Sequence, residues 1–122
     1  GEEVNHIHVS SAWKKFHHIS AEERLIKIGY TDEYFPHHRF YQMMKLFMFG
    51  VVDGMYSCPL AMTDGASKVL REIKGDDPEL NRAYDNLTSQ DGNKFWTSGQ
   101  WMTERRGGSD VAAGTETYAE PQ

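Results

Sequence analysis

The chain has 122 residues, a length that fits one small domain. Hydrophobic residues make up 39% and charged residues 25%, a globular balance that excludes a disordered chain. A net charge of −5, with only the isolated pairs Lys14–Lys15 and Arg105–Arg106, speaks against a nucleic-acid partner, and the single cysteine, Cys58, excludes an internal disulfide or a CxxC zinc site.

In chain order, Ser10–Ser11 reads as a helix cap, since a serine oxygen can accept from the free amides of a first turn. Trp13, Phe16, His17 and Ile19 follow at helical spacing. Ser20 with Glu23 forms a capping-box pattern and predicts a second helical segment, carried by Leu25, Ile26 and Ile28 and stopped at Gly29. Tyr30 to Pro36 reads as a connection, because the residue before a proline is steered away from helix.

The strongest helical pattern runs from His38 to Tyr56. Phe40, Met43, Met44, Phe47, Val51 and Met55 form one apolar stripe, and Tyr41, Leu46, Met48, Phe49 and Val52 cover much of the rest. Such a helix is expected to be buried on nearly all sides, its methionines filling the core and Gly50 and Gly54 marking a close helix contact. Lys45 and Asp53 interrupt the run well short of the roughly 20 apolar residues that a membrane span requires.

Pro59 suits the first turn of a further helix, through Leu60, Met62, Ala66, Val69, Leu70 and Ile73 to an end near Gly75. Pro78 to Leu87 reads as a short surface helix with Leu80, Tyr84 and Leu87 inward. Thr88 to Lys94 is polar and turn-rich, a natural boundary. Beyond it Phe95–Thr97 and Gln100–Thr103 read as strand, Gly107–Asp110 as a turn and Thr115–Tyr118 as a second strand. The expected organisation is a helical domain over residues 1–94 and the start of a β-domain over 95–122. Two strands alone are marginal in water, so the chain reads as a segment running from one domain into the next, with a homo-oligomer or the remainder of a longer chain as its partner.

Two segments carry a resemblance. Trp101-Met102-Thr103-Glu104-Arg105-Arg106-Gly107-Gly108-Ser109-Asp110-Val111 resembles a signature of the acyl-CoA dehydrogenase family, in which a strand ends in Thr-Glu and a Gly-Ser-Asp turn follows. Upstream, Tyr56 to Ala66 looks like the helix that precedes that strand, and the double glycine, the Cys-Pro step and the Met-Thr pair look closest to the AidB-like branch. The resemblance covers Arg39 to Ala119. It implies a mainly α fold: helices of the family's N-terminal domain leading into the first one or two strands of its middle β-domain.

The same resemblance implies FAD as cofactor and acyl-CoA thioesters as substrates, dehydrogenated between the α and β carbons. Family members hold the flavin ring against the strand that matches Gln100, Met102 and Thr103, with a hydroxyl at Thr103 near the ring. The turn at Gly108 and Ser109 approaches the ribityl-pyrophosphate part, and Ser109 and Val111 border the acyl thioester. The physical sense is that a flavin taking a hydride becomes electron-rich along one edge, where fixed donors stabilise the charge. The helix from Leu60 to Ala66 would lie near the entry of the acyl chain.

The sequence departs from the family pattern at two points: Arg105–Arg106 stands where a proline-containing pair is commoner, and Gln100 where straight-chain enzymes carry an aromatic. The glutamate base and the rest of the flavin site belong to parts of the family outside these residues, so no acid here is assigned that role and the chain alone is expected to be inactive. The alternative reading is a non-catalytic interaction or assembly subunit that keeps the family's helical half. The histidine pairs His6/His8, His17/His18 and His37/His38 lack metal-ligand spacing and read as surface residues, and Cys58 reads as a small buried thiol. No secretory or transit signal opens the sequence, which suggests an intracellular protein with cytoplasm, mitochondrion and peroxisome equally open.

Overall fold

The computed structural model describes residues 3–120. Helix α1 spans Ser11–Glu22, a single 3-10 turn Lys27–Tyr30, α2 His38–Gly50, α3 Ser57–Ile73, α4 Pro78–Leu87, and the one-turn α5 Val111–Gly114. The fold is mainly α, and no strand occurs among the described residues. Among the described residues no helix is long and apolar enough to cross a membrane.

The Ser10 side chain accepts the Trp13 amide at 3.1 Å and starts α1. Its end overturns the expected capping box. Arg24 takes a left-handed φ of 59°, its amide donates to Ala21 O, and the Leu25 amide donates to Ser20 O. This is a Schellman close with arginine where glycine is usual. Ser20 is buried and its hydroxyl donates back to Phe16 O, so it belongs to the last turn of α1 and starts nothing new. The segment after it turns sharply, and Gly29 lies inside the 3-10 turn as a packing residue. A Cβ at Gly29 would collide with the Gln42 side chain and the Arg39 guanidinium.

The core gathers Ala21, Leu25, Ile26, Tyr56, Leu60 and Phe95, with Phe16, Leu46 and Phe49 packed on it. Tyr56 sits between Trp13 and Phe16, ring centroids 4.8 and 6.2 Å away, and its hydroxyl meets His17 Nδ1 at 3.0 Å. Burial pushes the Tyr56 phenol up to about 12.

Helix α2 departs most from expectation. It stops at Gly50, and the chain then turns through Gly54 at φ 51° and Met55 at φ 81°. Its one fully buried side chain is the polar Gln42, flanked by the half-buried Leu46 and Phe49. The predicted stripe faces outward instead: Phe40 is 69% exposed, Phe47 73% and Val51 79%, with Met43, Met44 and Met48 also exposed. The periodicity was that of an apolar face, but nothing among the described residues covers it. Gly50 and Gly54 have open space around them, so neither marks a close helix contact; Gly54 is needed for its positive φ. Cys58 is likewise exposed, because it lies in the first turn of α3, ahead of the packing face formed by Leu60, Thr63 and Ser67.

The two last long helices follow the sequence closely. Gly75 at φ 46° closes α3 just past its C-cap. Asp77 caps α4 by accepting the Glu79 and Leu80 amides, with Pro78 as its first residue. Helix α3 packs on α4 and crosses α2, which rests on the 3-10 turn.

Candidate functional site

Residues 95–104 leave the helical body in an irregular segment that forms no ladder. Phe95 is buried in the core, the Trp96 amide donates to Asn86 O at 3.1 Å, and the Ser98 amide donates to Thr63 Oγ1 at 3.0 Å. These bonds tether the segment to α4 and α3. The backbone amides of Gln100 to Thr103 find no acceptor among the described residues. The residue types of a strand are present, but a strand exists only where a neighbour completes its hydrogen bonds.

Thr115 to Tyr118, the other expected strand, is also irregular. Its amides are used differently: Glu116 N and Thr117 N donate to the two oxygens of Glu104 at 2.8 and 3.1 Å. Those bonds, the Glu116 amide first, hold the Glu104 carboxyl below its ordinary range. Arg106 Nη1 pairs with Glu116 at 2.7 Å. The turn between is closed by backbone packing, for a Cβ at Gly107 would lie 2.7 Å from Gly114 O. Gly108 has φ 51°, which glycine tolerates at no steric cost, and Asp110 caps α5 through the Ala113 amide at 3.3 Å.

Two open clefts border this region. The larger, of about 570 Å³, is lined by Trp101, Met102, Thr103, Glu104, Val111, Thr115 and Thr117. The second, of about 370 Å³, lies between the segment and the Ala61–Val69 face of α3 and includes Met62, Ala66, Ser98 and Gln100. The structure thus brings Met102, Thr103 and Val111 together and sets Gln100 against α3, while Gly108 and Ser109 line neither cleft. A planar apolar ring with a polar edge would find in the first cleft apolar side chains and the threonine residues Thr103, Thr115 and Thr117. No group of three or more potential metal ligands occurs among the described residues.

The sequence reading did not single out a polar centre within the helical body. Asp64 accepts from Arg39 at 2.8 and 2.7 Å, from Gln42 Nε2 at 3.0 Å and from the Tyr30 hydroxyl at 3.0 Å. Gln42 also donates to Leu25 O and Ile26 O, binding the turn after α1 to α2. Burial alone would raise the Asp64 carboxyl, but the Arg39 and Gln42 hydrogen bonds outweigh it and hold the group below its ordinary value. Tyr30 moves the other way, raised first by burial and then by the Asp64 charge. A signal was present in the sequence: Arg39 and Gln42, three apart, are polar positions on one side of a mainly apolar helix.

This arrangement of helices and trailing segment is one that known acyl-CoA dehydrogenase family proteins contain. The chain is 48% identical over 122 residues to Acyl-CoA dehydrogenase family member 11 of Caenorhabditis elegans, a match over 98% of this chain and 20% of that protein. It superposes with a TM-score of 0.84 on the crystal structure of Caenorhabditis elegans ACDH-11 in complex with C11-CoA, at 47% identity, covering 95% of this chain and 20% of that one. It also superposes on Bd2924 in its apo form, with a TM-score of 0.80 and 40% identity, covering 91% of this chain and 22% of the other. No family model matches the chain. The chain therefore spans about a fifth of the length of the relatives it matches.

Proposed function

We propose that this chain is a segment of an FAD-dependent acyl-CoA dehydrogenase, with residues 1–94 closing a helical domain and 95–122 opening the flavin-contacting one. The observation that carries the reading is the 48% identity over 98% of the chain to a protein of that family. The Thr103–Asp110 motif supports it further, as do the amides of Gln100 to Thr103, which have no acceptor among the described residues. In this reading Gln100, Met102 and Thr103 lie along the isoalloxazine ring and Gly108 and Ser109 approach the rest of the cofactor, with Ser109 and Val111 bordering the acyl thioester. When bound, the flavin supplies the hydride acceptor; these residues orient it and place donors at its edge. The double glycine and Met62–Thr63 favour the AidB-like branch.

The test is a visible spectrum of the chain expressed with its natural continuation. A bound oxidised flavin that bleaches on adding a medium-chain acyl-CoA is the expected result. A folded, colourless protein that leaves added acyl-CoA untouched would overturn the proposal. The exposed apolar face of α2 favours one other reading, a non-catalytic assembly subunit. A stable, flavin-free hetero-complex in size-exclusion with light scattering would select it.

A further inference from the structure

A cleft of about 230 Å³ opens between the 3-10 turn, α2 and α3, on a different face of α3 from the cleft beside Gln100. Gly29, Tyr30, His38, Arg39, Lys68 and Arg71 line it. Three permanent cations and a histidine thus meet in a chain whose net charge is −5, and no carboxylate is in the lining. The nearest acids are already engaged: Asp64 holds Arg39, Gln42 and Tyr30 from behind, and Glu72 pairs with Lys68.

One donor remains uncommitted among the described residues. Arg71 has no ion-pair partner among the described residues, and its guanidinium lies over the Tyr30 ring, 5.9 Å from the centroid. The Arg39 guanidinium rests 5.5 Å from the same ring, so one tyrosine braces both forks. The His38 ring forms part of the wall and stacks on Phe35 at an interplanar angle of 17°, with its Nδ1 turned away from solvent.

We infer that this cleft binds a phosphate-type anion, gripped by Arg71, with Lys68 drawn from its exposed pair with Glu72 and Arg39 held in place by Asp64. Guanidinium forks match the oxygens of a phosphate, and the bidentate pair with Asp64 fixes Arg39 before any ligand arrives. The inference stands apart from the flavin reading, since none of the residues that reading uses lines the cleft. The shared chemistry is a phosphate dianion, either free or as the monoester of a larger molecule.

The experiment is an amide NMR titration of the chain at fixed ionic strength, with chloride exchanged for inorganic phosphate in one arm and for glycerol 3-phosphate in the other. Saturable shifts confined to the amides around His38, Arg39 and Arg71 are expected. Arg71→Gln should weaken binding about fivefold or more, as loss of a charge-assisted donor does, while Lys14→Gln on α1 leaves it unchanged. Tighter phosphate binding assigns a free anion; tighter monoester binding assigns a phosphorylated molecule. Shifts that never saturate, that scatter over the surface, or that Arg71→Gln leaves alone in a still-folded chain would overturn the assignment.

Discussion

Both terminal guanidinium nitrogens of Arg39 on α2 meet the Asp64 carboxylate on α3, at 2.8 and 2.7 Å, where the two helices cross. Asp64 also gathers Gln42 and Tyr30, so one carboxylate ties α2, α3 and the 3-10 turn together. Asp64→Asn should destabilise the fold by about 1–3 kcal/mol, because partly buried donors lose their acceptor. Urea denaturation measures this. Glu33→Gln, which breaks the exposed pair with Arg24, serves as the control and should cost no more than about 1 kcal/mol. Equal losses in the two variants would show that the crossing does not depend on the carboxylate.

The same carboxylate sets an acid limit. Asp64 is held below its unfolded value in the native state, so its contribution is complete above that unfolded value, near pH ~4, and is lost as pH falls through the lowered native one. Thermal midpoints should be flat through this group's range above about pH 5 and fall below it. Asp64→Asn should flatten part of that fall. A wild-type acid slope retained in full by the variant would assign it to other groups.

Gly29 and Gly65 should respond in opposite directions to alanine. A Cβ at Gly29 meets the Gln42 side chain, and the expected loss is about 1–3 kcal/mol. A Cβ at Gly65 in α3 meets nothing within 4 Å, and the helix should gain roughly 0.5–1 kcal/mol. Differential scanning calorimetry of the two variants decides the matter.

The outward face of α2 predicts self-association of the isolated chain. Phe40, Phe47 and Val51 are contiguous and exposed, an apolar surface that water does not tolerate well. Phe47→Glu should raise the monomer fraction in light scattering and lower binding of an apolar dye. Stability should change by no more than about 0.5 kcal/mol, as for most surface positions.

Glu104 gives a local prediction. Its carboxylate receives the Glu116 and Thr117 amides, so Glu104→Gln should speed hydrogen exchange at those two positions and leave α1 to α4 unchanged. Unaltered exchange would mean that the bend around Gly107 and Gly114 holds itself closed.

Much of the helical frame could be read from local chemistry. Ser10, Pro78 and Gly75 act within one turn of themselves, and the elements they bound appear where the residues indicated. The burial of α2 was not legible, because periodicity identifies an apolar face without saying what lies opposite it. The Arg24 turn was hidden for another reason: an arginine at positive φ carries no local signal, and the close is enforced by Leu25 and Ile26 entering the core. The trailing segment shows the same limit. Trp101 and Met102 have strand chemistry, yet pairing is a property of two segments, and Trp101 is left 95% exposed. The role of Glu104 depended on residues twelve and thirteen positions away, beyond any spacing rule.

Thr63 is a pivot. Its hydroxyl donates to Pro59 O inside α3 and accepts the Ser98 amide from the segment that lies across it. One buried oxygen thereby sets how high the outgoing polypeptide rides above the helix. Residues 99–104 therefore inherit their starting height from a side chain of the helix beneath them, and whatever docks on that stretch meets a surface whose level α3 has set.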